Sequence, residues 1–292
     1  MTTAPRYIGR FAPTPSGPLH FGSLVTALAS WLDARRAQGR WLLRIDDVDA
    51  PRVDPAAEEA IVRALDAHQL YWDGAIVRQS DHEERYRAAL RRLQPLCFAC
   101  RCSRRVLGGA RIYPGTCRHL GLAKSATTSI RVRVDDGRIE FEDRVQGRHT
   151  QQLADESGDF VVWRRDDMAA YPLAVVVDDD AMGVTHVLRG ADLLPNTPRQ
   201  LYIADALETR RPSYAHLPVI VETGGIKLSK HTGATALDNR FARHNLTNAL
   251  NLLGFEPPPG DIPELLTWAV ANWNIRRVPA VAAFTGFIAL TS

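Results

Sequence analysis

The chain has 292 residues, 45% of them hydrophobic, with a formal net charge of +3 and a pI near 8.8. That length supports two or three domains around a sizeable core, while so mild a charge balance neither establishes nor excludes a nucleic-acid partner. No uninterrupted apolar stretch of about 18 residues is present, so no membrane span is expected. The opening MTTAPRYIGRFAP lacks the apolar run of a secretory leader, so a cytoplasmic location is expected.

In chain order, Tyr7 to Phe11 reads as a short buried strand, followed by a Pro- and Gly-rich turn over Pro13 to Gly17. A helix is expected from about Gly22 to near Gln38, then a strand over Trp41 to Ile45. Asp54 before Pro55 is a good helix start, and Ala57, Ile61, Ala64, Leu65 and His68 follow at a spacing that gives one inward face. This alternation predicts a parallel sheet with crossover helices. From about Leu96 to Arg165 it breaks into short alternating runs such as Ile130 to Val134 and Ile139 to Phe141, which read as an inserted β-rich module. Strand–helix alternation is expected again over Tyr171 to Val177, Thr185 to Leu188, Thr197 to Leu207 and Pro218 to Val221. Beyond about Leu237 the chain reads as helical. Asp261 and Glu264 have capping-box spacing, and Leu265, Leu266, Ala269 and Trp273 form the buried stripe. The expected organisation is therefore a first catalytic half at 1–95, the insert at 96–168, a second catalytic half at 169–236 and a helical region at 237–292.

Two stretches carry chemistry. The first, Arg10 to Ser23, runs from a strand through a turn to a helix N-terminus, where unpaired N–H groups and a positive dipole end favour phosphate. Within it His20 can donate to phosphate as charge builds, and Gly22 leaves room for an adenine ring. The second is Lys227-Leu228-Ser229-Lys230-His231, where two lysines flank a serine after a Gly-Gly turn and can neutralise a triphosphate. All four cysteines lie between Cys97 and Cys117. Such clustering points to a metal site instead of disulfides, and four thiolates suit tetrahedral zinc.

The paired stretches resemble the signatures of class I aminoacyl-tRNA synthetases. His20-Phe21-Gly22-Ser23 corresponds to HIGH, and Lys227 to His231 corresponds to KMSKS. RFAPTPSGPLHFGSL at 10–24, RIDDVD at 44–49 and LRGADLL at 188–194 resemble the glutamyl branch of that class. The resemblance implies a Rossmann-like α/β catalytic domain with a zinc-bearing insert. It implies ATP binding by His20, Gly22, Ser23, Lys227, Ser229 and Lys230, with His20 and Lys230 stabilising charge on the phosphates and Mg²⁺ accompanying ATP. It places glutamate contacts at Arg10, Thr14, Asp46, Tyr171 and Arg189. The residue types agree: guanidinium forks suit carboxylates and an acid suits an ammonium. Relatives usually carry Glu where this chain has Asp46. The family's metal pattern maps onto Cys100, Cys102, Tyr113 and Cys117. Cys97 is then an extra thiol and His119 a weaker candidate ligand.

Only some sixty residues follow the lysine stretch, too few for an anticodon-binding domain. The chain therefore resembles the truncated paralogues, the glutamyl-queuosine tRNA(Asp) synthetases. The resemblance implies activation of L-glutamate with ATP, without tRNA bound, and transfer to queuosine at the first anticodon position of tRNA(Asp) by a monomeric enzyme. Rival readings are a minimal glutamyl-tRNA synthetase charging the RNA 3′ end, a small-molecule nucleotidylyltransferase, and a non-catalytic zinc-containing RNA-binding module. His68, His186 and His216 are expected to be structural.

Overall fold

In the computed structural model, residues 7–284 are described, apart from 50, 52, 104, 111 and 222–235. The elements run β1 (Ile8–Phe11), α1 (Phe21–Arg36), β2 (Arg40–Ile45), α2 (Ala57–Ala67), β3 (Val77–Arg78), α3 (Glu83–Leu93) and β4 (Cys97–Cys100). They continue with β5 (Ser129–Val132), β6 (Arg138–Asp143), β7 (Gly147–Gln152), α4 (Leu153–Glu156), β8 (Phe160–Trp163), α5 (Tyr171–Ala181) and β9 (His186–Gly190). The last are α6 (Thr197–Ala206), β10 (Ser213–Leu217), β11 (Val219–Ile220), α7 (Ala242–Leu252), α8 (Ile262–Asn272) and β12 (Ala283–Phe284).

Five of the six residues of β2 are buried, so it reads as a continuous run with no polar alternation, the pattern of a parallel strand covered on both faces. β1, β2 and β3 pair in parallel, with Ile8 opposite Arg40 and Arg44 opposite Val77. β9 pairs in parallel with β10. The two sets meet where Thr185 N donates to Ile8 O at 2.9 Å, and Ile8 N donates to Thr185 Oγ1 at 2.9 Å. This brings β1 beside β9, so β2–β3 extend to one side and β10 to the other. A doubly wound sheet of this kind reverses its order between two central strands and leaves a crevice beyond their C-terminal ends.

The segment between β4 and β8 divides its strands between two places. β4, β5 and β8 form an antiparallel sheet of their own. The β6–β7 hairpin instead joins the edge of the catalytic sheet, through a parallel bridge from Asp143 to Tyr214. Cross-strand partners far apart in sequence decided that attachment, which local alternation does not encode.

α2 begins at Ala57, slightly later than Asp54–Pro55 suggests. Asp54 closes the preceding turn through Oδ1, which accepts from Ala56 N at 2.9 Å. Its inward face is the expected one, with Ala57, Ile61, Ala64, Leu65 and His68 all buried. The apolar run at Tyr171–Val177 is helix α5, with Pro172 in its first turn. At α8 both halves of the capping box are made, Asp261 accepting from Glu264 N at 2.9 Å and Glu264 accepting from Asp261 N at 3.1 Å. Gly39 is dictated by close approach, because a Cβ there would collide with the Tyr7 carbonyl that accepts from Arg40 N. Among the described residues no helix is long and apolar enough to cross a membrane.

Asp33, buried on α1, ties distant segments together. It accepts from Tyr7 Oη at 2.6 Å, from Trp273 Nε1 at 2.9 Å and from both Arg144 terminal nitrogens at 2.5 and 3.0 Å. Burial opposes its charge, but the Arg144 fork and the two neutral donors overcome this and hold it below the usual carboxylate range. Asp33→Ala strands the Arg144 guanidinium and two neutral donors, so we expect it to destabilise the fold by about 3 kcal/mol. Urea unfolding of the variant beside the parent measures this, and an unchanged midpoint would refute the role.

Candidate active site

The crevice beyond the ends of β1 and β9 is a cavity of about 450 Å³, lined among others by Arg10, Thr14, His20, Gly22, Ser23, Asp46, Tyr171 and Arg189. Every described residue expected at the nucleotide and glutamate positions lies on this one wall system. Lys227, Ser229 and Lys230 lie outside the described residues.

His20 is the N-cap of α1, and its Nδ1 accepts from Ser23 N at 3.3 Å. Nε2 then carries the proton of a neutral ring, and it lies 3.2 Å from Ser23 Oγ. Capping and phosphate contact are therefore compatible, because they use different ring nitrogens. A Cβ on Gly22 would sit 3.2 Å from His20 Cε1 and 3.3 Å from Nδ1, so this glycine also keeps space for the histidine ring.

Beneath the crevice lies a charged junction that sequence reasoning did not single out. Arg10 Nε and Nη2 donate to the two oxygens of Asp179 at 3.1 and 3.3 Å. Arg44 Nη1 donates to Asp179 Oδ1 at 2.6 Å, while its Nε and Nη2 donate to Asp46 at 2.6 and 3.3 Å. All four side chains are buried, Arg44 completely. Burial outweighs the Arg44 fork at Asp46 and keeps this carboxyl above its usual range, whereas two guanidiniums hold Asp179 below it. The Asp178-Asp179-Asp180 run inside an apolar helix was the available signal, since acids are rarely buried unless paired.

Arg189 stands at the other side of the crevice. Its Nη1 donates to Tyr171 Oη at 3.4 Å, Nη2 donates to Thr197 Oγ1 at 2.8 Å, and Nε donates to His216 Nε2 at 3.0 Å. His216 Nδ1 lies 2.6 Å from Asp143 Oδ2. An acceptor at Nε2 requires the proton on Nδ1, so Asp143 sets the tautomer that orients Arg189. His216, expected to be structural, is buried and links Asp143 on β6 to a crevice wall. Burial raises the cost of the Asp143 charge, but His216 and the Gln146 N–H bring the carboxyl down to about 2.

A second centre lies in the loop after β4. The sulfur atoms of Cys100, Cys102 and Cys117 all fall within 4.8 Å of one another, with 3.6 Å between Cys102 and Cys117. Tyr113 Oη stands 3.4 Å from Cys100 Sγ and 4.0 Å from Cys102 Sγ, and accepts from Cys117 N at 2.8 Å. Tetrahedral bonds of about 2.3 Å place ligand sulfurs roughly 3.8 Å apart, so the spacing suits a zinc-sized cation. Burial raises the Cys100 thiol, but hydrogen bonds from Tyr113 and Arg131 outweigh it and bring the thiol down to about 7. Cys97 and His119 lie outside this cluster, and burial pushes the Cys97 thiol up to about 11.

A doubly wound sheet, with a helix N-terminus and an arginine-walled crevice at its reversal point, defines a nucleotide-using α/β catalytic domain of the class I synthetase type. The chain belongs to the family described as tRNA synthetases class I (E and Q), catalytic domain, whose model matches residues 8–268. Among curated proteins it is 51% identical to the Glutamyl-Q tRNA(Asp) synthetase of Ectopseudomonas mendocina, over 96% of each chain. It is 48% identical to the protein of the same name from Pseudomonas fluorescens, over 95% of each. Among solved structures it superposes on the glutamate–tRNA synthetase of Elizabethkingia anophelis with a TM-score of 0.82 at 24% identity, covering 97% of this chain and 68% of that one.

Two buried histidines, His68 and His216, and the half-buried His186 are held below their usual pKa, burial being the leading cause for each. The unfolded chain therefore takes up protons first as pH drops below about 6.5, so their contribution is complete above that value and lost beneath it. The depressed carboxylates Asp33, Asp143 and Asp179 add to this loss only below about pH 4. We expect the urea midpoint to fall between pH 7.5 and 5.5. A flat or rising midpoint across that interval would contradict this assignment.

Proposed function

We propose that this enzyme activates L-glutamate with ATP and transfers it to the queuosine base at the first anticodon position of tRNA(Asp). The observation that carries the proposal is the convergence of Arg10, Asp46, Tyr171 and Arg189 on the crevice that His20, Gly22 and Ser23 also line. The near-complete mutual coverage with proteins named Glutamyl-Q tRNA(Asp) synthetase supports the choice of acceptor.

In this reading Arg10 and Arg189 hold the two carboxylates of glutamate, Asp46 receives its ammonium, and Thr14 and Tyr171 complete the pocket. Both oxygens of Asp46 already accept from Arg44, so an ammonium uses the remaining lone pairs of the same carboxylate. The arriving cation also favours the ionised form that burial disfavours. The α-carboxylate attacks the α-phosphorus of ATP, forming glutamyl-adenylate and releasing pyrophosphate. His20, Ser23 and the α1 N-terminus meet the developing charge from one side, with Lys227, Ser229 and Lys230 assigned to the same phosphates. Mg²⁺ accompanying ATP would neutralise phosphate charge. A hydroxyl of the RNA then attacks the activated carbonyl and AMP departs.

Labelled glutamate, ATP and Mg²⁺ with tRNA(Asp) carrying or lacking queuosine test this directly. We expect incorporation only with queuosine, and glutamate-dependent pyrophosphate exchange that falls by at least about 100-fold in His20→Ala. Equal labelling of both RNAs would transfer the case to 3′-end charging, and near-normal exchange in the variant would remove His20 from the chemistry.

For the cysteine centre we propose one structural Zn²⁺ held by Cys100, Cys102, Tyr113 and Cys117. When bound, the ion would staple a loop with only a small apolar cluster around Phe98, Cys100, Tyr113 and Cys117. Protein purified without chelator should contain about one zinc per chain, and Cys102→Ser or chelation should remove it and lower the thermal midpoint. Absence of metal from freshly purified parent protein would count against the site.

A further inference from the structure

Arg199, on the first turn of α6, is a partly buried cation without a polar partner. Among the described residues it makes no hydrogen bond and no ion pair. Its Nε is shielded from water without a partner, and its only contact of note is with the Phe160 ring, 5.9 Å from the guanidinium carbon. Burial alone pulls its pKa down, with no carboxylate to offset the cost. Guanidiniums carry five donors, and leaving them idle in a shielded place is unfavourable unless something else occupies them.

The side chain lines a cavity of about 350 Å³ that Arg131, Asn196, Phe160, Pro172 and Tyr171 also line. Arg131 is nine-tenths buried and its Nε likewise lacks a partner. One terminal nitrogen donates to Asp159 O at 2.8 Å, and the guanidinium lies 4.0 Å from the centre of the Tyr113 ring. The one acid on the wall, Asp159, is engaged elsewhere, accepting from Val134 N at 3.0 Å and lying 3.7 Å from Arg118 Nε. The cavity therefore presents the Arg199 guanidinium, with no carboxylate to balance it, beside aromatic faces. Tyr171 lines both this cavity and the active-site crevice, so an anion here sits one side chain away from that crevice.

We propose that this cavity is a phosphate subsite for the RNA acceptor, in which Arg199, assisted by Arg131, holds a backbone phosphate flanking the nucleoside that receives glutamate. The inference rests on the function proposed above. The proposed function assigns ATP and glutamate to the crevice, which leaves the RNA as the substrate for a cavity that shares Tyr171 with it. A phosphodiester supplies acceptor oxygens for the Arg199 guanidinium and for the unpartnered Arg131 Nε, and the neighbouring rings suit an unstacked base.

The test measures binding of tRNA(Asp), with and without queuosine, to the full chain by fluorescence anisotropy over a series of salt concentrations. Arg199→Ala should weaken binding roughly tenfold and reduce the slope of log K against log salt by about 0.7 to 0.9. Arg199→Lys should restore most of the slope, and glutamate-dependent pyrophosphate exchange, which involves no RNA, should stay within about twofold. Arg199→Gln gives a second reading should the alanine variant fail to fold. An unchanged slope and affinity in the charge-removing variants would overturn the proposal. Unchanged RNA binding combined with a raised KM for ATP or weaker inhibition by inorganic phosphate would overturn it in favour of a small-anion site. If the parent binds both RNAs equally and labels neither, the acceptor reading fails, while the Arg199 salt slope still decides the phosphate contact.

Discussion

Two guanidiniums and two carboxylates share one dry junction beneath the crevice, and most of the site's geometry depends on it. Arg10 comes from β1, Arg44 from β2, Asp46 from the end of β2, and Asp179 from α5. Taking these charges out of water costs several kcal/mol per ion, and they persist only because nearly every donor meets an acceptor. Such a cluster adds little net stability compared with an apolar core. It restricts how α5 can seat on the sheet, because a small shift leaves a buried charge unpaired. The proposed glutamate contacts Arg10 and Asp46 are members of this cluster, so the constraint that positions α5 also positions the pocket.

The opposite wall is held by a second chain of contacts with the same logic. Asp143 on β6 fixes the tautomer of His216 on β10, and His216 orients Arg189 on β9. The segment that supplies Asp143 lies between the strands of the separate β4–β5–β8 sheet in sequence, yet its hairpin completes the edge of the sheet that holds β9 and β10. Asp33 repeats the arrangement at longer range, where one carboxylate gathers β1, the turn after β6 and the end of α8. Carboxylates with several donors recur because they join elements of unrelated sequence position at a defined angle.

Local signals were legible wherever the chain's own neighbourhood creates them. The buried stripes of α2 and α8, the capping box at Asp261 and the strand–turn–helix from Arg10 to Ser23 follow from periodicity and end chemistry. Cys100, Cys102, Tyr113 and Cys117, the set that the family resemblance implied, also stand together. What stayed hidden depends on contacts between elements well separated along the chain. The Asp178-Asp179-Asp180 run puts acids inside an apolar helix, but nothing local tells that Asp179 pairs with Arg44, or that Arg199 lacks a partner.

The sequence by itself determined the class of fold, the strand–turn–helix from Arg10 to Ser23 and the identity of the residues that define the family, because these arise from short-range backbone preferences and side-chain chemistry. Only the tertiary structure decided which charges are paired, which histidine supports Arg189, and where the β6–β7 hairpin attaches. Those outcomes depend on desolvation, which penalises each charge according to what the rest of the fold brings beside it.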